Sequence, residues 1–156
     1  MSSKPPATKT MDLKKLVREV LEKGYLMSLG ICDSGGVWVS DVIYVHNDNF
    51  EIFWISQISR RHSKAIEKNP EVAATITVSN GKGEPNMGIQ VAGRAEKLDS
   101  DVLDLGIKHR QKRGKKPPKN AGEILDSDES WYKLSPDTIE LIYEPLFGFG
   151  KKKVKL

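Results

Sequence analysis

The chain has 156 residues, 38% of them apolar and 7% aromatic, with a formal net charge of +4. That is enough for one domain with its own core, and too apolar for a disordered chain. No apolar run approaches the roughly 20 residues needed to span a bilayer. MSSKPPATKT carries no apolar stretch of signal-peptide type, so residues 1–10 are expected to be a disordered tail before one cytoplasmic domain, 11–156. Cys32 is the sole cysteine, which rules out an intrachain disulfide; it reads as a buried small hydrophobe.

From Asp12 to Lys23, Leu13, Leu16, Val17, Val20 and Leu21 recur at helical spacing and predict an amphipathic helix stopped by Gly24. Short strands follow. Tyr25–Cys32 leads into a tight turn at Asp33-Ser34-Gly35-Gly36, and Val37–Val45 leads into the turn-forming His46-Asn47-Asp48-Asn49. Phe50–Ser56 comes next; with Phe53, Trp54 and Ile55 adjacent, it reads as a strand covered on both faces. SRRHSKAIEKNP, residues 59–70, is a short helix between Ser59 and Asn69-Pro70. Val72, Ala74, Ile76 and Val78 then alternate with more polar neighbours in another strand. After a loop at 80–86, the next strand runs from Met87 to about Leu98, and Gly93 within it marks a bulge or a close backbone approach. Ser100 and Asp101 are placed to cap a helix reaching about Arg113. Two extended pieces, Trp131–Leu134 and Thr138–Tyr143, follow. Strands this short, joined mostly by turns, predict a mainly β fold: a small antiparallel barrel with two or three peripheral helices.

The positive charge is local. Seven Lys or Arg residues and no acid lie between Lys108 and Lys119; without them the chain carries a net charge of −3. Gly114, Pro117 and Pro118 make 108–122 read as a basic, mobile loop. With no aromatic neighbours to stack bases, it argues against a nucleic-acid partner. One Cys and three scattered His give no metal-ligand spacing, and no metal site is expected. Trp38 and Trp54 read as core residues, and Phe147 and Phe149 as closing the core.

The helix at 59–70 poses a chemical question. Its first turn carries Arg60, Arg61, His62 and Lys64, yet a helix start already holds roughly half a positive charge, so each added cation is unfavourable by about 0.3–1 kcal/mol. Unpaired N–H groups beside Arg and Lys suit a phosphate, with Ser59 and Ser63 as further donors; a solvated basic helix is the alternative. The segment follows a nearly all-apolar strand. A ligand with phosphate at one end and a flat apolar body at the other, a nucleotide or a flavin, matches that arrangement.

FWISQISRRHSKAIEKNPEVAATI followed by GIQVAGRAEKL resembles the FMN-binding split β-barrels of the pyridoxamine 5′-phosphate oxidase-like family, and YKLSPDTIELIYEPLFGFG resembles the family's closing strands. The resemblance implies a six-stranded antiparallel split β-barrel, Greek-key-like, in a homodimer that holds FMN at its interface. By position relative to Pro70 it implies Arg61 and His62 as phosphate ligands and Ser56 at the flavin ring. Ser63 and Lys64 match a variant pattern. Three departures accompany the likeness. His62 replaces a Lys, so its charge depends on pH. Gly88 stands where the oxidases proper have a flavin-contacting Gln; Gln90, two residues on, is either its substitute or an exposed strand residue. No His follows His109, whereas those oxidases place an Arg and a His near the C-terminus for their substrate, which argues against pyridoxine phosphate oxidation here. The resemblance therefore implies an FMN-dependent oxidoreductase with a small-molecule redox partner and no evident catalytic residue. A flavin carrier or electron-transfer module, or a barrel that binds deazaflavin or haem, are the alternatives.

Overall fold

The computed structural model describes residues 12–79 and 81–156, and the expected N-terminal tail lies outside the described residues. Asp12 opens the first helix, α1 (Leu13–Lys23), its carboxylate accepting the Lys15 backbone N–H at 3.2 Å. The predicted stripe is the face it buries: Val17, Val20 and Leu21 are almost wholly covered, each contributing about 1.5–3 kcal/mol.

Seven strands follow with three further helices: β1 (Leu26–Asp33), β2 (Gly36–His46), β3 (Ile52–Gln57), α2 (Arg61–Lys68), β4 (Glu71–Thr77), β5 (Met87–Lys97), α3 (Leu103–Lys112), β6 (Glu129–Tyr143), α4 (Glu144–Phe147) and β7 (Lys151–Val154). Their order is β3-β2-β1-β4-β5-β6-β7, and pairing of β3 with β6 closes six of them into a ring. All pairs are antiparallel. This is the expected six-stranded split barrel, with β7 added.

The split has a visible origin. One edge of β6 is covered by β3 through Leu134 and by β7 from Ile139 onwards. Between them Pro136 meets no partner on that edge, so its missing N–H costs no ladder bond there. The two extended pieces expected from the sequence are therefore one 15-residue strand running through a proline. On the other edge the register shifts between Ala92 and Gly93. A Cβ on Gly93 would lie 2.2 Å from the Ser135 carbonyl oxygen, so both readings of that glycine, bulge and close approach, hold. Gly88 is equally confined, an added Cβ lying 2.7 Å from the Ile76 carbonyl oxygen, so a side chain has no room there in this barrel.

The main core fills the ring around Leu29, Tyr44, Ile52, Trp54 and Tyr132, with Ala65 and Ile66 of α2 packed into it. A second cluster, Val45, Phe53, Leu105 and Trp131, forms outside the barrel under α3. β3 is thus covered on both faces, as its apolar run predicts. Other expectations give way. Cys32 is exposed rather than buried. Phe149 is 81% exposed, while Phe147 does pack on the core. Neither Ser100 nor Asp101 caps α3, which starts after Val102 without a side-chain cap. Lys108–Lys112, where the expected helix to about Arg113 and the expected basic loop overlap, form the last turn and a half of α3, so the helix reading holds for them. Among the described residues no helix is long and apolar enough to cross a membrane.

Candidate functional site

An open cleft of about 840 Å³ lies between the middle of β2, the end of β3, the start of α2 and the end of α3. Leu26, Val42, Ile43, Ile55 and Ile124 give it an apolar wall, and Arg60, Arg61, Arg110 and Arg113 make it cationic. Asp41 and Glu129 are the acids that line it. The Asp41 carboxylate accepts the Ser28 hydroxyl at 2.6 Å. Glu129 accepts the Asp126 backbone N–H at 2.8 Å.

α2 starts at Arg61 after an extended Arg60, and no side chain caps it; Ser59, the expected cap, is in the preceding turn. The start of α1 has a carboxylate acceptor, whereas that of α2 has none. Helix-start N–H groups without a capping acceptor, beside guanidinium groups, are a donor set suited to an oxyanion.

Arg61 is tightly held. Its Nε and Nη2 donate to the two carboxylate oxygens of Asp33 at 2.8 and 2.9 Å. Its guanidinium carbon lies 4.6 Å from the centre of the Trp38 ring, within the range of a cation–π contact. The pair holds the Asp33 carboxyl below its usual range and raises Arg61. Part of the conflict at the start of α2 is therefore resolved within the chain, by a residue 28 positions earlier. Nη1 is left with two N–H donors not used in that pair. Trp38, expected in the core, is instead half exposed and forms part of the cleft wall.

His62 and Ser56 are both buried, and His62 Nε2 shares a hydrogen bond of 2.8 Å with Ser56 Oγ. Burial lowers the His62 pKa, and the charge on Arg60 lowers it further, so the imidazole is neutral at pH 7. It offers hydrogen bonding rather than charge. Of the residues singled out in the sequence, the cleft gathers Ser56, Arg61 and His62. Ser63 is fully buried, its hydroxyl donating to the Gln57 carbonyl at 2.8 Å, which fixes the turn before α2. Lys64 does not line the cleft but a neighbouring depression with Ser59, Cys32 and Lys68, and Arg61 lines both. Gln90 lies in a groove with Thr75 and Phe149 on β4, β5 and the C-terminal segment.

The cleft residues that the sequence reading did not place at a site include Trp38, Asp41, Arg110 and Arg113. The last two come from the basic run. Lys108 and Lys112 donate to the carbonyls of His46 and Tyr44 at 3.4 and 2.7 Å, and His109 meets Trp131 edge-on at 5.7 Å. These contacts dock α3 and bring Arg110 and Arg113 to the cleft. Helical spacing across Lys108–Arg113 is the signal that separates anchoring residues from lining ones.

A cationic cleft thus opens at the start of α2 on an antiparallel split barrel, and comparison with known proteins agrees with the fold. A family model of pyridoxamine 5′-phosphate oxidase matches residues 13–143, so the chain belongs to that family. A UPF0306 protein of Photorhabdus laumondii is 25% identical over 139 residues, 88% of this chain and 92% of that protein. Two solved structures share the fold. General stress protein 26 of Bacillus anthracis has a TM-score of 0.67 at 19% identity, covering 92% of this chain and 100% of its own. The haem storage protein HutZ of Vibrio cholerae has a TM-score of 0.66 at 18% identity, covering 85% and 95%.

Proposed function

We propose that the cleft binds FMN and that the protein is a flavin-dependent oxidoreductase acting on a small redox partner. The observation that carries this reading is the uncapped, arginine-flanked start of α2 opening beside an apolar wall. In this reading Arg60, Arg61 and the first N–H groups of α2 take the phosphate. Ser56, fixed by His62, meets the ring, and Trp38 and Ile55 supply apolar surface. Ser63 supports the turn from below. When bound, the flavin supplies the redox chemistry, and the protein contributes position and electrostatics. No side chain in the cleft is assigned as a general acid or base.

A homodimer completes the site in this reading. The outer face of the barrel carries a row in register, Val39, Gly30, Ala73, Ala92 and Thr138, with no charge in it. The next row joins Asp41, which lines the cleft, through Ser28 and Thr75 to Gln90. Three strand spacings place Gln90 roughly 14 Å from Asp41, too far to share a ligand contact within one chain. A second copy packed on this face closes the open side of the cleft.

Haem is the second reading, favoured by the likeness to HutZ. Ligation of the iron by histidine would need a free imidazole nitrogen; His62 Nε2 is engaged with Ser56, His46 Nε2 with Glu22, and His109 is packed on Trp131. The visible spectrum of the freshly purified protein separates flavin, deazaflavin and haem. Arg61→Ala is expected to weaken FMN by tenfold or more while changing riboflavin little, because only FMN carries the phosphate. Equal losses for both ligands, or a colourless protein that takes up no added FMN, would overturn the reading.

A further inference from the structure

We propose that Lys112 of α3, which lines a cavity separate from the cleft, is a reversible Schiff-base site for a small polar aldehyde. The inference is independent of what occupies the cleft.

A second hollow of about 470 Å³ lies between the end of α1, the end of β2 and α3, within the roughly 300–1,000 Å³ usual for small-molecule sites. Leu21 and Val45, both buried, form its apolar floor. Lys108, Gln111 and Lys112 line this hollow, whereas His109, Arg110 and Arg113 line the cleft. Each residue of a helix turns the side chain by about 100°, so the two sets occupy different faces of α3.

Lys112 has a neutral environment where other lysines have an acid. Among the described residues it takes part in no ion pair. Its Nζ donates to the Tyr44 carbonyl at 2.7 Å and lies 3.4 Å from the centre of the Tyr44 ring. Lys23 and Lys133, which have carboxylate partners, are raised above the ordinary lysine value. Burial moves Lys112 the other way, down to about 8, although Glu22 opposes the shift. An ammonium has three N–H donors. The carbonyl and the ring face occupy two positions and leave the third for the hollow. In the neutral amine that third position carries the lone pair, and the amine is a nucleophile.

The surrounding charges select the electrophile. Glu22 of α1, Asp48 after β2 and Lys108 of α3 are the charged groups that line the hollow with Lys112, and His46 Nε2 lies 3.1 Å from a Glu22 carboxylate oxygen. Two carboxylates against one further lysine favour a cationic product. An aldehyde gives one, a protonated imine, whereas carbon dioxide would give an anionic carbamate. The lone pair attacks the carbonyl carbon and forms the C–N bond. One N–H proton and one proton from solvent leave with the carbonyl oxygen as water, and no oxidant or reductant is consumed. The remaining N–H of the imine still reaches the Tyr44 carbonyl, and its charge stays over the Tyr44 ring. Asp48 and Gln111 suit hydroxyl groups on a short aldehyde.

The test is reductive trapping of the full-length protein at pH 7.5 with glyceraldehyde and cyanoborohydride, which converts a protonated imine to a stable amine, followed by peptide mapping. Lys112 should be trapped about tenfold or more faster than the exposed Lys14 and Lys68, because an amine of pKa about 8 has a far larger neutral fraction at this pH than an ordinary lysine. Its rate should level off as glyceraldehyde is raised, while the rates at Lys14 and Lys68 rise in proportion. Lys112→Arg retains a donor for the Tyr44 carbonyl and should remove the fast phase of trapping. Equal rates at Lys112 and the exposed lysines overturn the proposal. So do a rate at Lys112 that rises without levelling off, a fast phase that survives in Lys112→Arg, or a preference for Lys112 that persists in urea after the chain has unfolded.

Discussion

Arg61 shows how one side chain can be both anchored and available. Its bidentate pair with Asp33 and its position over Trp38 fix the guanidinium plane, yet Nη1 remains for a ligand. Asp33→Asn removes the charge from that anchor. Because the Asp33 carboxyl is held below its ordinary range, its contribution to stability is complete above the unfolded value near 3.9 and is lost as pH falls through the folded value. The variant should therefore melt a few degrees lower at pH 7, with the gap closing below about pH 4 in thermal scans. A gap that does not narrow as pH falls below about 4 would show that the ion pair is not its cause. Of the four consecutive residues expected at the phosphate, Arg61 and His62 line the cleft while Ser63 and Lys64 do not, and helical geometry explains why. Each step along α2 turns the side chain by about 100°. Ser63 therefore points into the protein and Lys64 to another face, although both are consecutive with His62. The Asp33–Arg61 pair spans 28 positions, a distance that no local pattern encodes.

At the scale of elements, α3 makes the basic run intelligible. Gly114, Pro117 and Pro118 make the run read as a loop, but their effect starts only after Lys112, where the helix ends. What the sequence could not reveal is that the helix covers an apolar patch on the outside of the barrel, because Phe53 and Trp131 become neighbours only when β3 pairs with β6. Burial of His109 in that contact, with Arg113, Lys112 and Arg110 nearby, depresses its pKa to about 4. The unfolded chain therefore binds more protons between about pH 4 and pH 6.5, the ordinary His value. Stability from this group is complete above pH 6.5 and erodes as pH falls towards 4, by up to about 3 kcal/mol. His109→Phe keeps an aromatic ring at Trp131 and removes the titration. Urea unfolding at pH 7 and pH 4.5 should show a smaller acid loss in the variant than in the wild type; equal losses would remove His109 from that role. The bulge in β5 makes a separate prediction. Gly93→Ala forces a methyl group against the Ser135 carbonyl and should cost 1–3 kcal/mol or more in the same assay, without a change in oligomeric state. Gly93 was legible as a special position within a strand. The partner that makes it special, Ser135 beside a strand-interrupting Pro136, was not.

At the scale of the whole molecule, the outer barrel face decides whether the cleft is a complete site. Val37 and Val39, which share one face of β2, are 77% and 59% exposed. Contiguous apolar exposure of this kind marks an interaction surface more often than bare solvent-facing sheet. The uncharged row from Val39 to Thr138 continues it across five strands. In a two-fold dimer the same patch faces itself, so a single introduced charge is present on both sides of the contact. Ala92 is exposed in this row and its side chain has no packing role in the core, which makes Ala92→Glu a substitution that spares the fold. In sedimentation velocity the wild type should run as a dimer and Ala92→Glu as a monomer with an unchanged far-UV spectrum. FMN titration of the variant should show affinity at least tenfold weaker, because the partner that closes the cleft is gone. A monomeric variant that binds FMN as well as the wild type would confine the flavin site to one chain. A variant that stays dimeric would place the interface elsewhere on the molecule.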